Sequence, residues 1–511
     1  MITTSEAWKS AYQEAVVPET FVEITYDVTE PGLQDEAKPS NNGEMSFARS
    51  GDIIDMDEKN PPLYATLERS IWGLDGTFDV LPDQAPYGDT GYVSDVFVDS
   101  GTMPVVSISF GAVHTQLIPG ITITWSSAYG EYATRFRVSA FNSGTFIDSQ
   151  DFENDSITSL CEMPLSGYDE LRIEVLEWCL PNRRARIESV FVGVRKTYTK
   201  SDLLSYSHSQ TGDLLSAALP KNSIKFSIDN VDGMWNPDNL MGYVQFLAER
   251  QQITVRYGMK LDNGIEWVKA GTFWLNEWDT PSNGLEVSFT ARDIIEFMSD
   301  TYNGTRKGTL YAIVTAALRQ ADLPTMADDS LRYVVSDVLK NRTVDFTDDE
   351  SELTIAEVIQ LCANAACCVI YQDRNGVLHI EPLNTAVTDY EISQYNSYAH
   401  PEYTFSKPLK SVSVNNDLGT AENATAGEVQ KVSNALITDA THATTVAQHI
   451  RDTLKERRTI TGEYRADPTL DVFDTISVAS KYGDKRVIVT DIEYSYSGAF
   501  RGKYTGRMTE V

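Results

Sequence analysis

The chain has 511 residues, too many for one hydrophobic core, so roughly three or four domains are expected. Its 42 lysines and arginines against 74 aspartates and glutamates give a net charge of −32, which argues against primary binding of nucleic-acid phosphates. Five cysteines, an odd number without a ligand-like pair, disfavour a disulfide framework and indicate assembly in a reducing cytosol. The chain starts without signal-peptide features, and no apolar run approaches about 18 residues, so neither ordinary export nor a membrane span is expected.

The first 71 residues are predicted to begin a β-barrel domain. Residues 5–16 place apolar side chains at helical spacing, which predicts a short amphipathic helix that packs on a neighbouring subunit or on its own domain. Residues 21–28 alternate as a strand. Turn residues then make residues 29–60 a loop-rich segment.

Residues 72–197 are predicted to form an inserted β-sandwich, because short alternating runs recur there with turn signals about ten residues apart. Its aromatic side chains either fill the core or stack on sugar rings. The candidates for a ligand-binding surface are Tyr87, Tyr92, Trp125, Tyr129, Tyr132 and Trp178. The basic segment 181–186 predicts a solvated loop or a salt-bridged subunit contact, with anion or nucleic-acid binding as the alternative.

Residues 198–304 return to a meander of strands. Ile224, Phe226 and Ile228 alternate with polar residues, as expected where one face of a sheet is buried. This region is predicted to complete the barrel that residues 1–71 begin, which makes the first domain discontinuous. Such an insertion is tolerated when the chain leaves and returns at adjacent surface loops.

Residues 305–399 are predicted to form a helical α+β module. A helix follows Thr309, and a second helix begins at Thr354, whose hydroxyl and Glu357 make a capping box. Residues 373–376, Asp-Arg-Asn-Gly, predict a hairpin turn between two short strands. Residues 400–511 are predicted to form a second barrel that also contains a helix near residues 438–458. The predicted fold class is therefore multidomain and mainly β, with two barrels, an α+β module and an inserted sandwich.

No catalytic residue, metal ligand or cofactor is predicted. His442 and His449 are seven residues apart on one helix, about 10.5 Å of rise, which is too far for both to bind one metal ion. We interpret them as surface or interface histidines. Cys367 and Cys368 adjoin a buried strand and are interpreted as small apolar residues. Acidic residues are abundant, but no local signature singles out a glycosidase pair.

Four sequence patterns together resemble one family. Residues 232–239 read D-G-x-W-N-P-D-N, residues 249–258 read E-R-Q-Q-I-x-V-x-Y-G, and residues 267–278 read W-x-x-x-G-x-F-x-L-x-E-W. Residues 464–478 read Y-R-A-D-P-x-L-x-V-F-D-x-I-x-V. In combination they resemble the tail hub proteins of bacteriophages and prophages, which are similar in plan to the baseplate hubs of contractile phages. Residues 119–144 of the insertion resemble discoidin-type or carbohydrate-binding jelly-roll modules.

The resemblance implies a structural protein at the tail tip or baseplate of a virion or phage-like tail, assembled in the bacterial host cytoplasm. It implies a homotrimeric ring that closes the distal end of the tail tube. The implied partners are the distal tail protein, the tape measure protein and other tail-tip or receptor-binding proteins. Family members that digest cell wall carry an enzyme appended after the closing barrel, and the chain ends there, so an enzyme is not expected. The alternative function is an adhesin that binds host-surface glycans through the sandwich, and the least favoured is a cell-wall or polysaccharide hydrolase.

Overall fold

The computed structural model describes residues 2–14, 16–56, 61–71, 77–78, 90–239, 242–280, 284–323, 331–347, 351–481 and 483–509. The described helices are α1 (Glu6–Gln13), α2 (Leu33–Glu36), α3 (Leu310–Gln320), α4 (Ile355–Ala365) and α5 (Ala440–Leu454). Short 3₁₀ turns lie at Ser50–Ile54, Val98–Ser100, Tyr243–Phe246, Ile294–Phe297 and Asp337–Asn341.

The strands follow in chain order. The first twelve are β1 (Thr20–Val28), β2 (Lys38–Asn41), β3 (Tyr92–Phe97), β4 (Val105–His114), β5 (Ile118–Thr124), β6 (Ala133–Asn142), β7 (Thr145–Glu153), β8 (Thr158–Leu165), β9 (Tyr168–Trp178), β10 (Arg184–Ile187), β11 (Ser189–Phe191) and β12 (Val194–Tyr198). The next ten are β13 (Leu203–Thr211), β14 (Lys221–Asp229), β15 (Gln252–Leu261), β16 (Gly264–Asp279), β17 (Glu286–Arg292), β18 (Lys307–Thr309), β19 (Tyr333–Val335), β20 (Thr343–Asp345), β21 (Val369–Gln372) and β22 (Leu378–Glu381). The last nine are β23 (Val387–Ile392), β24 (Glu402–Phe405), β25 (Leu409–Val414), β26 (Gly419–Glu422), β27 (Glu428–Val432), β28 (Arg458–Tyr464), β29 (Thr475–Val478), β30 (Lys485–Tyr496) and β31 (Phe500–Met508).

The largest unit is one open sheet of 13 strands. Its main path runs β12-β1-β15-β16-β17-β14-β13-β30-β31-β28-β24, and β29 and β23 extend from β30. The predicted mainly β, multidomain class is confirmed. The regions predicted as two barrels are nevertheless joined, because β13 pairs with β14 on one side and with β30 on the other. Among the described strands none of the sheets closes on itself.

One apolar core lies under this sheet and takes residues from both predicted barrels. Ile253, Val255 and Tyr257 on β15 point into it, as the alternation predicts. Tyr464 and Tyr494 contribute from the far end of the chain. The two halves therefore fold around a shared interior.

Of the two predicted packing partners of helix α1, a neighbouring subunit or its own domain, the structure shows contacts with its own chain. The Ser5 hydroxyl caps the helix by accepting a hydrogen bond from the Trp8 amide at 3.1 Å. The Trp8 side chain is fully buried, and its indole nitrogen donates to Asp467 at 3.1 Å. The N-terminus is thus tied to a segment more than 450 residues away.

The sandwich stacks a five-stranded sheet, β2-β4-β9-β6-β7, on a three-stranded sheet, β11-β5-β8. Residues 38–41 belong to it through pairing with β4, although they precede residue 72. Residues 194–198 instead pair with β1 in the 13-stranded sheet. The alternation of a short strand shows that one face is buried, but it does not show which sheet the strand joins.

The α+β region has its own core, formed around α3 and α4. The helix predicted after Thr309 is α3, whose buried face carries Leu310, Ile313, Val314, Ala317 and Leu318. The capping box at Thr354 and Glu357 is confirmed. Helix α5 and strand β25 pack into this same core, so the region predicted as a second barrel divides between the α+β core and the large sheet. Within the described part of the chain, no helix is both long and apolar enough to cross a membrane.

Candidate functional site

The structure places three of the six predicted sugar-stacking aromatics in the sandwich core. Tyr92 and Trp125 are fully buried, and Trp178 is nearly so. The Trp125 ring makes edge-to-face contacts with Phe136 and Trp178, at 5.0 and 5.8 Å between centroids. Tyr87 lies outside the described residues. Tyr92, Trp125 and Trp178 pack against other core side chains, so they fill the sandwich rather than line a groove.

Tyr129 and Tyr132 are only partly buried. The Tyr129 hydroxyl donates to the Tyr64 carbonyl at 3.1 Å and accepts from the Tyr64 amide at 2.8 Å. The guanidinium of Arg186 covers the Tyr129 ring at 4.5 Å from its centroid. The Tyr132 amide donates to the Cys179 sulfur at 3.4 Å. The Tyr129 ring therefore holds a loop and a buried cation in place.

Two of the three arginines in segment 181–186 form buried ion pairs, so the prediction of a solvated loop or subunit contact is wrong for Arg183 and Arg186. Arg183 donates to Glu131 at 2.8 Å, and Arg186 makes a two-nitrogen contact with Glu68. Burial acts to raise the pKa of the Glu68 carboxyl, but the hydrogen bonds and charge of Arg186 outweigh it and hold that pKa below its ordinary value. The sequence shows the positive charges but not the acidic residues, more than 50 positions away, that neutralise them.

The sandwich is anchored to the large sheet by polar contacts. Within the large sheet, Arg195 on β12 binds Asp27 on β1 through two hydrogen bonds of 2.6 and 2.8 Å, which fixes the strand that the sandwich contacts. The Thr122 hydroxyl of the sandwich accepts from the Arg195 amide at 3.2 Å. On the other side, the Tyr243 hydroxyl donates to Glu162 at 2.7 Å. These contacts, on two sides of the connection, hold the sandwich in a defined orientation on the sheet.

A polar seam, formed by Arg374, Asp471 and the groups that they contact, joins the two halves of the large sheet. Arg374, in the predicted hairpin turn, is buried and donates to both oxygens of Asp471 at 2.9 and 3.0 Å. Its other nitrogens donate to the carbonyls of Lys269, Pro468 and Leu470 at 2.9 to 3.1 Å. The sequence identifies the turn correctly, but no local pattern shows that its arginine points into the protein.

The seam continues into the core as a hydrogen-bond chain. Gln210 donates to Asp471 at 3.2 Å and lies 3.3 Å from His208, which lies 2.8 Å from the Tyr257 hydroxyl. Burial lowers the pKa of His208 to about 4, so its ring is neutral at pH 7. The network satisfies buried polar groups and connects β13, β15 and the segment before β29. We interpret this network as a structural feature that holds these segments together.

The remaining residues considered for chemistry have structural contacts. His442 is buried and its ring nitrogen lies 2.8 Å from the Ala365 carbonyl, so the prediction of a surface or interface histidine is wrong for it. Cys368 is buried beside β21, and burial raises the pKa of its thiol to about 12. No group of three or more His, Cys, Asp or Glu side chains is arranged to hold a metal ion within the described residues.

Strand β24, at one end of the large sheet, is the most exposed strand of that sheet. All four of its residues are exposed, and it pairs only with β28 among the described strands. Phe405 is 64% exposed, and Tyr403 lies on the same strand face. Tyr395 and Tyr398, just before the strand, are also exposed. This edge combines unpaired backbone with aromatic surface.

No protein-family model matches the chain, and no curated protein matches it. Solved structures similar to it include the 43 kDa tail protein of prophage MuSo2 from Shewanella oneidensis, at 12% identity and a TM-score of 0.42, covering 61% of this chain and 94% of that one. They include the tail protein from Neisseria meningitidis MC58, at 12% identity and a TM-score of 0.44, covering 62% and 93%. A family 32 CBM from C. perfringens NanJ, in complex with galactose, is 14% identical with a TM-score of 0.22 and covers 34% of this chain and 99% of that one. The resemblance to phage tail proteins with a carbohydrate-binding-like sandwich, predicted from the sequence, is confirmed as a similarity of fold.

Proposed function

We propose that this chain is a non-enzymatic structural subunit of a phage or phage-like tail tip or baseplate. It is a hub that closes the distal end of the tail tube as a ring of three copies. The observation that carries the proposal is the exposed edge strand β24 at the end of the 13-stranded sheet. An open sheet edge with aromatic side chains is stable in solution when another chain covers it.

The two end strands of the main path of the sheet, β12 and β24, differ. Strand β12 is partly covered, because Thr122 of the sandwich accepts a hydrogen bond from its Arg195 amide. Strand β24 has no such cover among the described residues, and Tyr403 and Phe405 face outward. A ring needs two different complementary patches on every subunit. We assign one of them to β24 and the aromatic segment before it.

The double variant Tyr403→Ser/Phe405→Ser tests this assignment. Both side chains are exposed in the single chain, so its thermal stability should change little. Native mass spectrometry should find three copies for the wild type and one for the variant. The matched control, Phe146→Ser/Ile147→Ser, removes two exposed apolar side chains from edge strand β7 of the sandwich and should leave the trimer intact. A wild-type chain that is a monomer, or a trimer that survives the β24 variant, contradicts the proposal.

The proposed place in the particle follows from the ring. The hub lies at the distal tail tip of the virion, after assembly in the host cytoplasm, and contacts the distal tail protein and the tape measure protein. The sandwich, anchored through the contacts of Thr122 with Arg195 and of Glu162 with Tyr243, faces receptor-binding proteins. Labelling the sandwich in purified particles and locating the label by electron microscopy tests this arrangement. A label found inside the tail tube contradicts it.

The proposal of a non-enzymatic role has its own test. The carboxylates described above are engaged by arginines, as the buried Glu68 and Glu131 and the partly buried Asp471 illustrate. Incubation of the purified chain with peptidoglycan and with host polysaccharide should release no fragments. Cleavage that a single Asp or Glu substitution abolishes would overturn the proposal in favour of a hydrolase.

A further inference from the structure

One buried arginine of the chain lacks an acidic partner. Four arginines are buried among the described residues, and three of them bind a carboxylate. The three pairs are Arg183–Glu131, Arg186–Glu68 and Arg374–Asp471. The fourth, Arg332, is 9% exposed, and its side chain makes no ion pair or hydrogen bond within the described part of the chain. A buried cation without a counter-charge is costly, so a negative group is expected to cover it.

The guanidinium of Arg332 lies beside the large sheet. Its Cζ atom is 5.7 Å from the centroid of the Trp274 ring on β16, and its Nε atom is enclosed without a hydrogen-bond partner. Burial lowers the pKa of Arg332, and the charge of Asp35 on α2 offsets this effect only in part. The aromatic ring stabilises the cation to some extent, but no carboxylate binds it.

Arg332 stands at the start of an open sheet edge. Strand β19 pairs only with β22 among the described strands. The Arg332 carbonyl accepts from the Leu378 amide at 2.9 Å, and the Ser336 amide donates to the Ile380 carbonyl at 2.9 Å. In a parallel pair alternate residues bond to the neighbouring strand, so two of the three residues of β19 turn their backbone groups to the open edge.

Exposed apolar side chains flank this edge. They are Leu331, Val334 and Val338, each between 40% and 55% exposed. An open edge beside apolar surface is a place where a strand of another chain can add. We call residues 331–338 the β19 surface, because they combine this edge with the cation that lacks a partner.

Strand β24 has the complementary features. Its Glu402 side chain is exposed and has no ion-pair partner within the described residues, and Tyr403 and Phe405 supply exposed rings beside it. Trp274, next to Arg332, is on the fourth strand along the main path of the sheet, whereas β24 is the eleventh. Two matching surfaces on different parts of one chain can meet between copies of it.

We propose that the β19 surface receives strand β24 of a second copy of this chain, with the Glu402 carboxylate on the Arg332 guanidinium. This inference rests on the proposed ring and names the second of the two patches that a ring needs. The contact supplies the counter-charge of Arg332 and covers both open edges. Because each copy offers one β24 and one β19 surface, the contact repeats in the same sense from copy to copy.

The variant Arg332→Met removes the cation and keeps an unbranched apolar side chain. It should weaken each contact between copies about thirtyfold or more, the effect expected when one partner of a desolvated charge pair is truncated. Native mass spectrometry over a concentration series measures the loss of trimer. The control Arg135→Met breaks an exposed ion pair with Glu177 on the sandwich and should leave the trimer unchanged.

A monomeric background separates a folding defect from an assembly defect. In the Tyr403→Ser/Phe405→Ser variant, which is expected to be a monomer, Arg332→Met should change the melting temperature little, because no partner within the chain is lost. Asp328→Asn/Asp329→Asn, in residues that lie outside the described part of the chain, should change neither the melting temperature nor the trimer. Equal losses of melting temperature in the arginine and aspartate variants would place the carboxylate in the same chain and overturn the proposal.

Exchange of the two charges identifies the partner. Arg332→Glu and Glu402→Arg should each dissociate the trimer, and the double variant Arg332→Glu/Glu402→Arg should recover it in part. An equal mixture of the Arg332→Met chain and the Tyr403→Ser/Phe405→Ser chain should form a dimer of one copy of each, through the one contact that both leave intact. The matched exchange Arg135→Glu/Glu177→Arg on the sandwich should have no effect on assembly.

The outcomes distinguish this contact from the ring itself. A trimer that survives Arg332→Met and the single charge reversals, but not Tyr403→Ser/Phe405→Ser, overturns the contact and leaves the proposed ring standing. A wild-type monomer overturns both. Saturable binding of inorganic phosphate that Arg332→Met removes, with a trimer that this variant leaves unchanged, would assign Arg332 to a small anion and overturn the contact as well.

Discussion

The sandwich and the 13-stranded sheet are both large β structures, but different contacts hold them together. The buried ion pairs of the sandwich join residues of one continuous segment, as in Arg186–Glu68 and Arg183–Glu131. The sheet is held by contacts between distant parts of the chain, such as Trp8–Asp467 and Tyr496–Thr20. The sandwich is therefore self-contained, whereas the sheet requires both ends of the chain.

The largest expected effect is on the seam of the sheet. Arg374→Ala leaves Asp471 and three carbonyls without their buried donor, which should cost about 3–5 kcal/mol of unfolding free energy. Hydrogen-exchange mass spectrometry should show lost protection in β13 and β30 and unchanged protection in β5 and β9. The control Arg137→Ala breaks the exposed pair with Asp151 and should leave the free energy of unfolding nearly unchanged. Equal losses in the sheet and the sandwich would contradict the comparison.

The second prediction concerns the buried ion pair Arg186–Glu68, whose loss should destabilise the sandwich and not the large sheet. Glu68→Ala leaves Arg186 buried without its partner, which should cost about 3 kcal/mol. Exchange protection should fall in β3 and β10 and remain in β13 and β30. The double variant Glu68→Leu/Arg186→Met removes both charges and should recover most of the loss. No recovery would mean that the ion pair is not the cause.

Signals confined to a few residues could be predicted from the sequence. The capping box of α4 and the hairpin turn at residues 373–376 depend only on neighbouring residues, and both are found. The pairing of β13 with β30 could not be predicted, since Tyr206 and Tyr496 are 290 positions apart and alternation carries no information about the partner. The seam and the ion pairs of the sandwich were missed for the same reason.

The join between the sheet and the α+β core should respond to pH through Asp293. This residue precedes the 3₁₀ turn Ile294–Phe297, and burial raises the pKa of its carboxyl to about 7. The unfolded chain releases this proton near pH 4, so the folded chain holds the extra proton between about pH 4 and 7. Stability from this group is full below that window and falls as pH rises through it.

The expected change is about 2 kcal/mol between pH 5 and 7, because each pH unit inside the window contributes about 1.4 kcal/mol. Urea unfolding of the wild type and of Asp293→Asn at pH 5, 6 and 7 measures the contribution of this carboxyl to the free energy of unfolding. The wild type should lose stability relative to the variant as pH rises. A difference that stays constant with pH would show that the carboxyl is not protonated in the folded chain.

The smallest expected effect is at the N-terminal helix. Trp8→Phe keeps an aromatic ring but removes the donor to Asp467, whose buried carboxyl then lacks one partner. The cost should be about 1–2 kcal/mol, and exchange protection should fall in residues 2–14 and 460–470. The control Trp278→Phe, at an exposed strand end, should change stability by less than about 0.5 kcal/mol.

The central claim is that the large sheet is the scaffold and the sandwich a separable unit, which we propose spans residues 29–193. Val28 and Val194 are directly paired in the β1–β12 ladder, so a two-residue Asn-Gly turn can join them. The decisive measurement is native mass spectrometry with thermal unfolding of this excision variant beside a second variant that lacks residues 72–197. We predict that the first folds and keeps three copies, while the second unfolds because it loses β12 from the sheet and leaves β2 without the rest of the sandwich. A first variant that fails to fold, or a second that folds as a trimer, would contradict the account.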